Sequence, residues 1–155
     1  MLIIEPTASP RDIADVGMLF REYSGLVAEA LCFQNFDEEL VALPGDYAPP
    51  GGALLIARNG DAPAGCVALR RLDAATGEMK RMYVREQYRG SGLGRRLAIA
   101  VIDEARKAGC ARIVLDTLPK LGAAIALYRD LGFRETGSYL ASPTPGALCF
   151  ELRIS

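Results

Sequence analysis

The chain has 155 residues and a mass of 16.6 kDa, enough for one domain spanning 1–155 that buries roughly two-thirds of its unfolded surface in a single core. Lysines and arginines number 18 against 19 acids, a net charge of −1, which removes the broad positive field of a nucleic-acid binder, so no nucleic acid is expected as a partner. Histidine is absent; with it go the commonest general base, the usual Ser and Cys triads and a Cys/His zinc site, so no metal is expected and proton chemistry falls to carboxylates, tyrosine, lysine, cysteine or water.

The four cysteines, Cys32, Cys66, Cys110 and Cys149, lie far apart with no CxxC pair and read as buried thiols of a reducing cytosol. The start MLIIEPTASPRD lacks the basic-then-apolar pattern of an export signal. No window approaches the ~18 to 20 uncharged apolar residues of a bilayer span. The expectation is a cytoplasmic chain without a membrane partner.

In chain order, LII at 2–4 is a strand candidate ended by Pro6. The stretch from Pro10 to Leu31 carries apolar residues at helical spacing, Ile13, Val16, Phe20, Tyr23 and Val27, with proline in its first turn. FDEELVAL is a shorter helix with Asp37 near its unpaired N–H groups, followed by the breaker-rich LPGDYAPPGG. ALLIA, PAGCVALRRL and GEMKRMYV, separated by NGD and DAATG turns, form an antiparallel meander of three strands. Leu93 to Ala108 is a helix with Leu93, Leu97, Val101 and Ala105 down one side, ended by Gly109. RIVLD is a buried strand, AAIALYRDL a helix closed by Gly132, and ALCFELRI a last strand, with YLASPTPGA as the loop between the two final strands.

The informative stretch is QYRGSGLGRRL, Gln87 to Leu97, where glycines at 90, 92 and 94 run straight into a helix. Strand, glycine loop and helix start make an anion site, because the first helical N–H groups have no partners and the dipole is positive there. A Walker loop would need Lys and then Ser or Thr after its last glycine, where Arg95 and Arg96 stand. A dinucleotide loop would need Gly or Ala at 95, although Asp116 does close the next strand at about the right distance. A ligand-free turn is the plain alternative. Against it stand six basic residues between Lys80 and Arg96 (Lys80, Arg81, Arg85, Arg89, Arg95, Arg96), a cluster that suits a diphosphate carrying one further phosphate.

EMKRMYVREQYRGSGLGRRL, followed by LDT and AAIALYRDLGF, resembles the GNAT superfamily of acyl-CoA-dependent N-acetyltransferases, whose signature is Q/R-x-x-G-x-G/A at the start of the third helix. Gln87, Gly90 and Gly92 fill it; Arg89, Gly92 and Gly94 fill it again. The resemblance is close from Glu78 to Phe133 and implies a mixed α/β fold, a central twisted, mostly antiparallel sheet of six to seven strands flanked by about four helices. It also implies acetyl-CoA as co-substrate, an amine of a small molecule or peptide as acceptor, and direct transfer in a ternary complex; a homodimer is compatible with it. The rival within the fold is a non-catalytic acyl-CoA sensor.

By position, the resemblance implies that backbone amides of Arg89, Gly90, Ser91, Gly92, Leu93 and Gly94, with Arg95, cradle the diphosphate. Met82, Tyr83 and Val84 would pair with the pantetheine arm, and Tyr128 would sit by the thioester sulfur as proton donor. Leu121 stands where many relatives carry Asn, so a hydrogen bond to the pantetheine is either absent or supplied from elsewhere. Glu78 is the expected general base, acting directly or through water, with a solvent-facing acid paired to Lys80 or Arg81 as the plain alternative. Strict alternation places Glu78, Lys80, Met82 and Val84 on one face of their strand and Met79, Arg81 and Tyr83 on the other. For Tyr128 the alternative is a packed core tyrosine. Asp37, Glu38, Glu39 and Asp46 suit a cationic amine or are simply surface acids, and Phe33, Phe36 and Tyr47 line the acceptor pocket or pack. Cys110 and Cys149 lie in apolar strands that disfavour a thiolate nucleophile.

Overall fold

The computed structural model describes residues 1–31, 35–140 and 143–154, and of residues 28–31 only the backbone; Cys32 and Phe33 lie outside the described residues. Seven strands form one sheet: β1 (Leu2–Pro6), β2 (Ala53–Asn59), β3 (Ala62–Arg71), β4 (Thr76–Val84), β5 (Arg112–Thr117), β6 (Arg134–Thr136) and β7 (Leu148–Arg153), in the order β1-β2-β3-β4-β5-β7-β6. Every pairing is antiparallel except β4 with β5. Among the described residues four helices flank it: α1 (Pro10–Leu31), α2 (Phe36–Ala42), α3 (Leu93–Lys107) and α4 (Gly122–Asp130).

Both faces of the sheet are covered, which is why β2 and β3 read as continuous apolar runs rather than alternating ones. Leu55, Val67, Leu69 and Met79 join the α3 stripe of Leu93, Leu97, Val101 and Ala105, together with Tyr128, Phe133 and Phe150. The alternate strand residues Leu54, Ile56, Cys66 and Ala68 join Val16, Phe20 and Val27 of α1, with Phe36 and Tyr47. Arg58 fastens α1 to β2 through Asp12 and Asp15, each at 2.8 Å. Helix α2 ends one residue short of its predicted span, because Leu43 precedes Pro44 and takes an extended ψ of 136°.

Two features of β4 build the site. First, it pairs with β5 only from Thr76 to Glu78, against Arg112 to Val114; beyond that point the two strands part while β5 continues along β7 to Thr117. Secondly, β4 carries a bulge. Cys66 faces Tyr83 and Ala68 faces Lys80, so one residue of β3 spans two of β4, Arg81 and Met82. Arg81 takes a left-handed φ of 59°, a conformation that costs a side-chain-bearing residue about 1–2 kcal/mol. It is held there by two hydrogen bonds to Glu39, both 2.9 Å, and by stacking 5.2 Å above the Phe36 ring.

The bulge overturns the expected alternation. Met79 packs with α3, and Lys80 lies opposite Ala68 of the α1 core; past the bulge Met82 and Val84 turn to the α3 side and Tyr83 to the α1 side. Glu78 and Lys80 therefore do not share a face with Met82 and Val84. An extra residue inverts every later position of a period-two pattern, and nothing in the local sequence announced it.

Candidate active site

The parting of β4 from β5 opens a groove toward the glycine loop. A 3-10 turn at Glu86–Tyr88 leads to Gly90 (φ 82°) and Gly92 (φ 84°), and Gly92 caps α3 with no side-chain hydrogen bond. Those two dihedrals favour glycine, which alone adopts them without a steric cost. Among the described residues the opening N–H groups of α3 consequently have neither helical nor side-chain partners, and its first turn contains no acid.

The groove is lined by Met82, Tyr83 and Val84 along one wall, by Arg89, Gly90, Gly92, Leu93, Gly94 and Arg95 at the loop, and by Lys120 to Ala124 with Leu127 on the far side. Ser91 does not line it; its hydroxyl donates to the Tyr88 carbonyl at 2.5 Å.

The basic cluster divides. Arg85 is held by Glu22 at 2.7 Å, Arg81 by Glu39, and Arg96 reaches the Leu2 carbonyl at 2.9 Å. Arg89 lies 5.9 Å from the Tyr83 ring and donates to the Val84 carbonyl at 3.0 Å, while Arg95 pairs with Asp130. Cations on the groove itself are Arg89, Arg95 and Lys120; the last was not singled out from the sequence because it stands outside the signature.

Where the strands first part, the groove runs into a deeper cavity, Tyr23, Met82, Leu121 and Ala124 belonging to both. Lys80, Arg81, Asp116, Thr117 and Tyr128 line it among apolar neighbours. Tyr128 is 6% exposed, packed on Phe133 and Phe150, and its hydroxyl has no hydrogen-bond partner among the described residues. Burial pushes its pKa up, so it is a proton holder at neutral pH. It is both a core tyrosine and a cavity-lining one.

Glu78 is neither solvent-facing nor paired with Lys80 or Arg81. It is fully buried, with one oxygen receiving Arg70 Nε at 2.6 Å and the other receiving the Tyr139 hydroxyl. Its carboxylate is not among the groups lining the cavity. Asp116 is. Burial raises the Asp116 pKa, Lys80 opposes that shift and Glu78 adds to it. The sequence did offer a signal, an acid closing an apolar buried strand, but one read against a nucleotide rather than a reaction. Tyr139 and Arg70 carried none, since only the fold brings them to Glu78.

Glu39 is bound to Arg81, so it is not a free surface acid. Phe36 and Tyr47 are buried, Phe36 beneath Arg81. Cys66 and Cys149 have thiol pKa values raised by burial, and neither they nor Cys110 line the groove or the cavity. Among the described residues no group of acids and cysteines is arranged to hold a metal, and no helix is long and apolar enough to cross a membrane.

A sequence model of the Acetyltransferase (GNAT) family matches residues 19–133. An uncharacterized N-acetyltransferase of Schizosaccharomyces pombe is 39% identical over 148 residues, covering 94% of this chain and 91% of that protein. Among solved structures, a GNAT-family acetyltransferase from Staphylococcus aureus superposes with a TM-score of 0.83 at 21% identity, over the whole of both chains. A putative acetyltransferase from Salmonella typhimurium, solved with its cofactor acetyl-CoA, superposes with a TM-score of 0.73 at 20% identity, over 100% of this chain and 95% of that one.

Proposed function

The chain belongs to the GNAT family of acetyltransferases, and from that premise we propose that it transfers an acetyl group from acetyl-CoA to a primary amine of a small molecule or peptide by direct attack in a ternary complex. The observation that carries this reading is the continuity of the groove with the cavity: one end presents uncapped helix N–H groups, and the other a carboxylate and a tyrosine.

The residues fit the co-substrate. The N–H groups of the Arg89–Arg95 loop, with Arg89, Arg95 and Lys120 around them, would hold phosphate oxygens. The open edge of β4 at Met82–Val84 offers main-chain groups to an extended amide-bearing arm, as one more strand would. Leu121 gives that arm an apolar contact in place of a hydrogen bond. Bound acetyl-CoA supplies the acetyl group as a thioester.

An alkylammonium of pKa ~10.4 must lose its proton before it can attack. Asp116 takes that proton; Glu78 positions the site, its carboxylate fixed by Arg70 and Tyr139 beside Asp116. Tyr128 gives its proton to the departing sulfur, so the product leaves as a free thiol. The balance is an N–C bond formed and a C–S bond broken, with two protons lost from nitrogen: the first goes to Asp116 and on to solvent, and the second leaves the tetrahedral adduct and restores the Tyr128 hydroxyl that protonated the sulfur.

The test is isothermal calorimetry with CoA alongside a thiol-release screen of acetyl-CoA against amino acids, polyamines, aminoglycosides and peptide N-termini. Saturable CoA binding with acceptor-dependent thiol release is the expected result; absence of CoA binding at millimolar concentration defeats the reading.

A further inference from the structure

Among the described residues four hydroxyls line the cavity, on Tyr23, Thr117, Tyr128 and Thr144. Tyr23 is hydrogen-bonded to Arg81, and Thr144 has a partner of its own. Thr117 and Tyr128 have none among the described residues, although Thr117 is only 9% exposed. Tyr128 is already placed at the departing sulfur, which leaves the Thr117 hydroxyl without a task.

The direction of that hydroxyl is set by the strand. The β5–β7 register runs without a break from Arg112 opposite Arg153 to Thr117 opposite Leu148, so side chains alternate strictly along β5. Thr117 therefore projects with Ile113 and Leu115, which pack in the same core as Tyr128, while Asp116 projects to the other face. Ile113 and Leu115 are apolar and buried. A hydroxyl following them on that face is costly unless something accepts its proton, and the missing acceptor belongs to what enters the cavity.

The reacting groups offer one. Thr117 lines the cavity and not the groove, so it meets the thioester rather than the arm that carries it. There Tyr128 serves the sulfur, and Asp116, from the opposite face, serves the amine. Lys80 and Arg81, the cations of the cavity, are already engaged. The carbonyl oxygen remains, and it gains negative charge as nitrogen adds to the carbon beside it, the situation in which a fixed donor is worth most. Resting on the acetyltransferase reading, we propose that Thr117 is a further catalytic residue, its hydroxyl donating a hydrogen bond to the carbonyl oxygen of the acetyl thioester.

The experiment compares binding of acetyl-CoA with binding of CoA, which lacks that carbonyl, by calorimetry on the full chain as wild type, Thr117→Val and Thr117→Ser. In Thr117→Val the affinity for acetyl-CoA should fall by ~3–10-fold while that for CoA stays within ~2-fold, the effect of one neutral hydrogen bond. Thr117→Ser, which keeps the hydroxyl, should restore the difference. With an acceptor that supports thiol release, kcat of Thr117→Val should fall by ~10²-fold, as for loss of one donor to a developing oxyanion. The valine variant should melt no lower than wild type, since it removes a buried hydroxyl that has no partner; Thr117→Ala repeats the binding comparison if valine does not fold. Unchanged acetyl-CoA affinity overturns the assignment. An equal loss for CoA places the hydroxyl on the arm and overturns it too. Absence of CoA binding by the wild type defeats the acetyltransferase reading, and this inference with it.

Discussion

Replacing Asp116 by asparagine tests the site most directly, because the substitution preserves volume and removes only the capacity to take a proton. At pH 7 an amine of pKa ~10.4 pays about 4.6 kcal/mol to deprotonate in solution. A positioned acceptor typically recovers about 10²–10⁴-fold in rate, and Asp116 is suited to it because burial holds its pKa above the ordinary carboxylate range. Asp116→Asn should therefore lower kcat/KM by ~10²–10⁴-fold at pH 7. CoA affinity should be unchanged, since Asp116 lines the cavity and not the groove. The sign of the pH dependence follows: the wild-type rate falls as pH drops through the raised pKa of Asp116, whose neighbours are Lys80, Glu78 and Arg81, and the variant loses that acid limb. Thiol-release kinetics across pH, with CoA calorimetry as the binding control, make the measurement. A folded Asp116→Asn protein within ~3-fold of wild type, below the smallest effect expected of a proton acceptor, and keeping its acid limb would refute the assignment. Severe loss in folded Glu78→Gln alongside it would move the role to Glu78.

Glu39→Gln should destabilise the fold by about 3 kcal/mol, since it removes the carboxylate that accepts two hydrogen bonds from an Arg81 side chain that is 2% exposed; chemical denaturation measures this, and an unchanged midpoint contradicts it. Gly65→Ala would bring a Cβ to 2.6 Å from the Tyr83 carbonyl and 3.2 Å from Leu97, so a loss of about 1–3 kcal/mol and weaker CoA binding are expected as β4 shifts. Gly92→Ala has open space for its methyl but a φ of 84°; its cost should appear as roughly 1–2 kcal/mol divided between thermal stability and CoA affinity, and no change in either would deny that this dihedral matters. The hydrogen bond from Arg85 holds the Glu22 carboxyl below its usual 4.5, so its contribution to stability is present above pH 4.5 and is lost as pH falls through the lower folded-state value. Glu22→Gln should flatten stability across that acid range, as followed by urea titrations at several pH values.

Elements and cofactor loop were legible in the chain because their causes are local. The α3 stripe Leu93, Leu97, Val101 and Ala105 repeats with the helical period and is buried along its length. The glycines at 90 and 92 mark left-handed dihedrals and an uncapped helix start whichever fold surrounds them. The catalytic side was not legible in this way. Its geometry rests on the bulge at Arg81, on the parting of β4 from β5 after Glu78, and on partners brought from 42 residues away in Glu39 and 61 residues away in Tyr139. A period-two pattern gives no sign of an inserted residue, so Met82 and Val84 came out on the wrong face. A carboxylate's chemistry likewise depends on what surrounds it. Glu78, the residue the sequence resemblance marks, is enclosed by Arg70 and Tyr139, whereas Asp116 lines open space, and that difference exists only once the strands have been laid side by side.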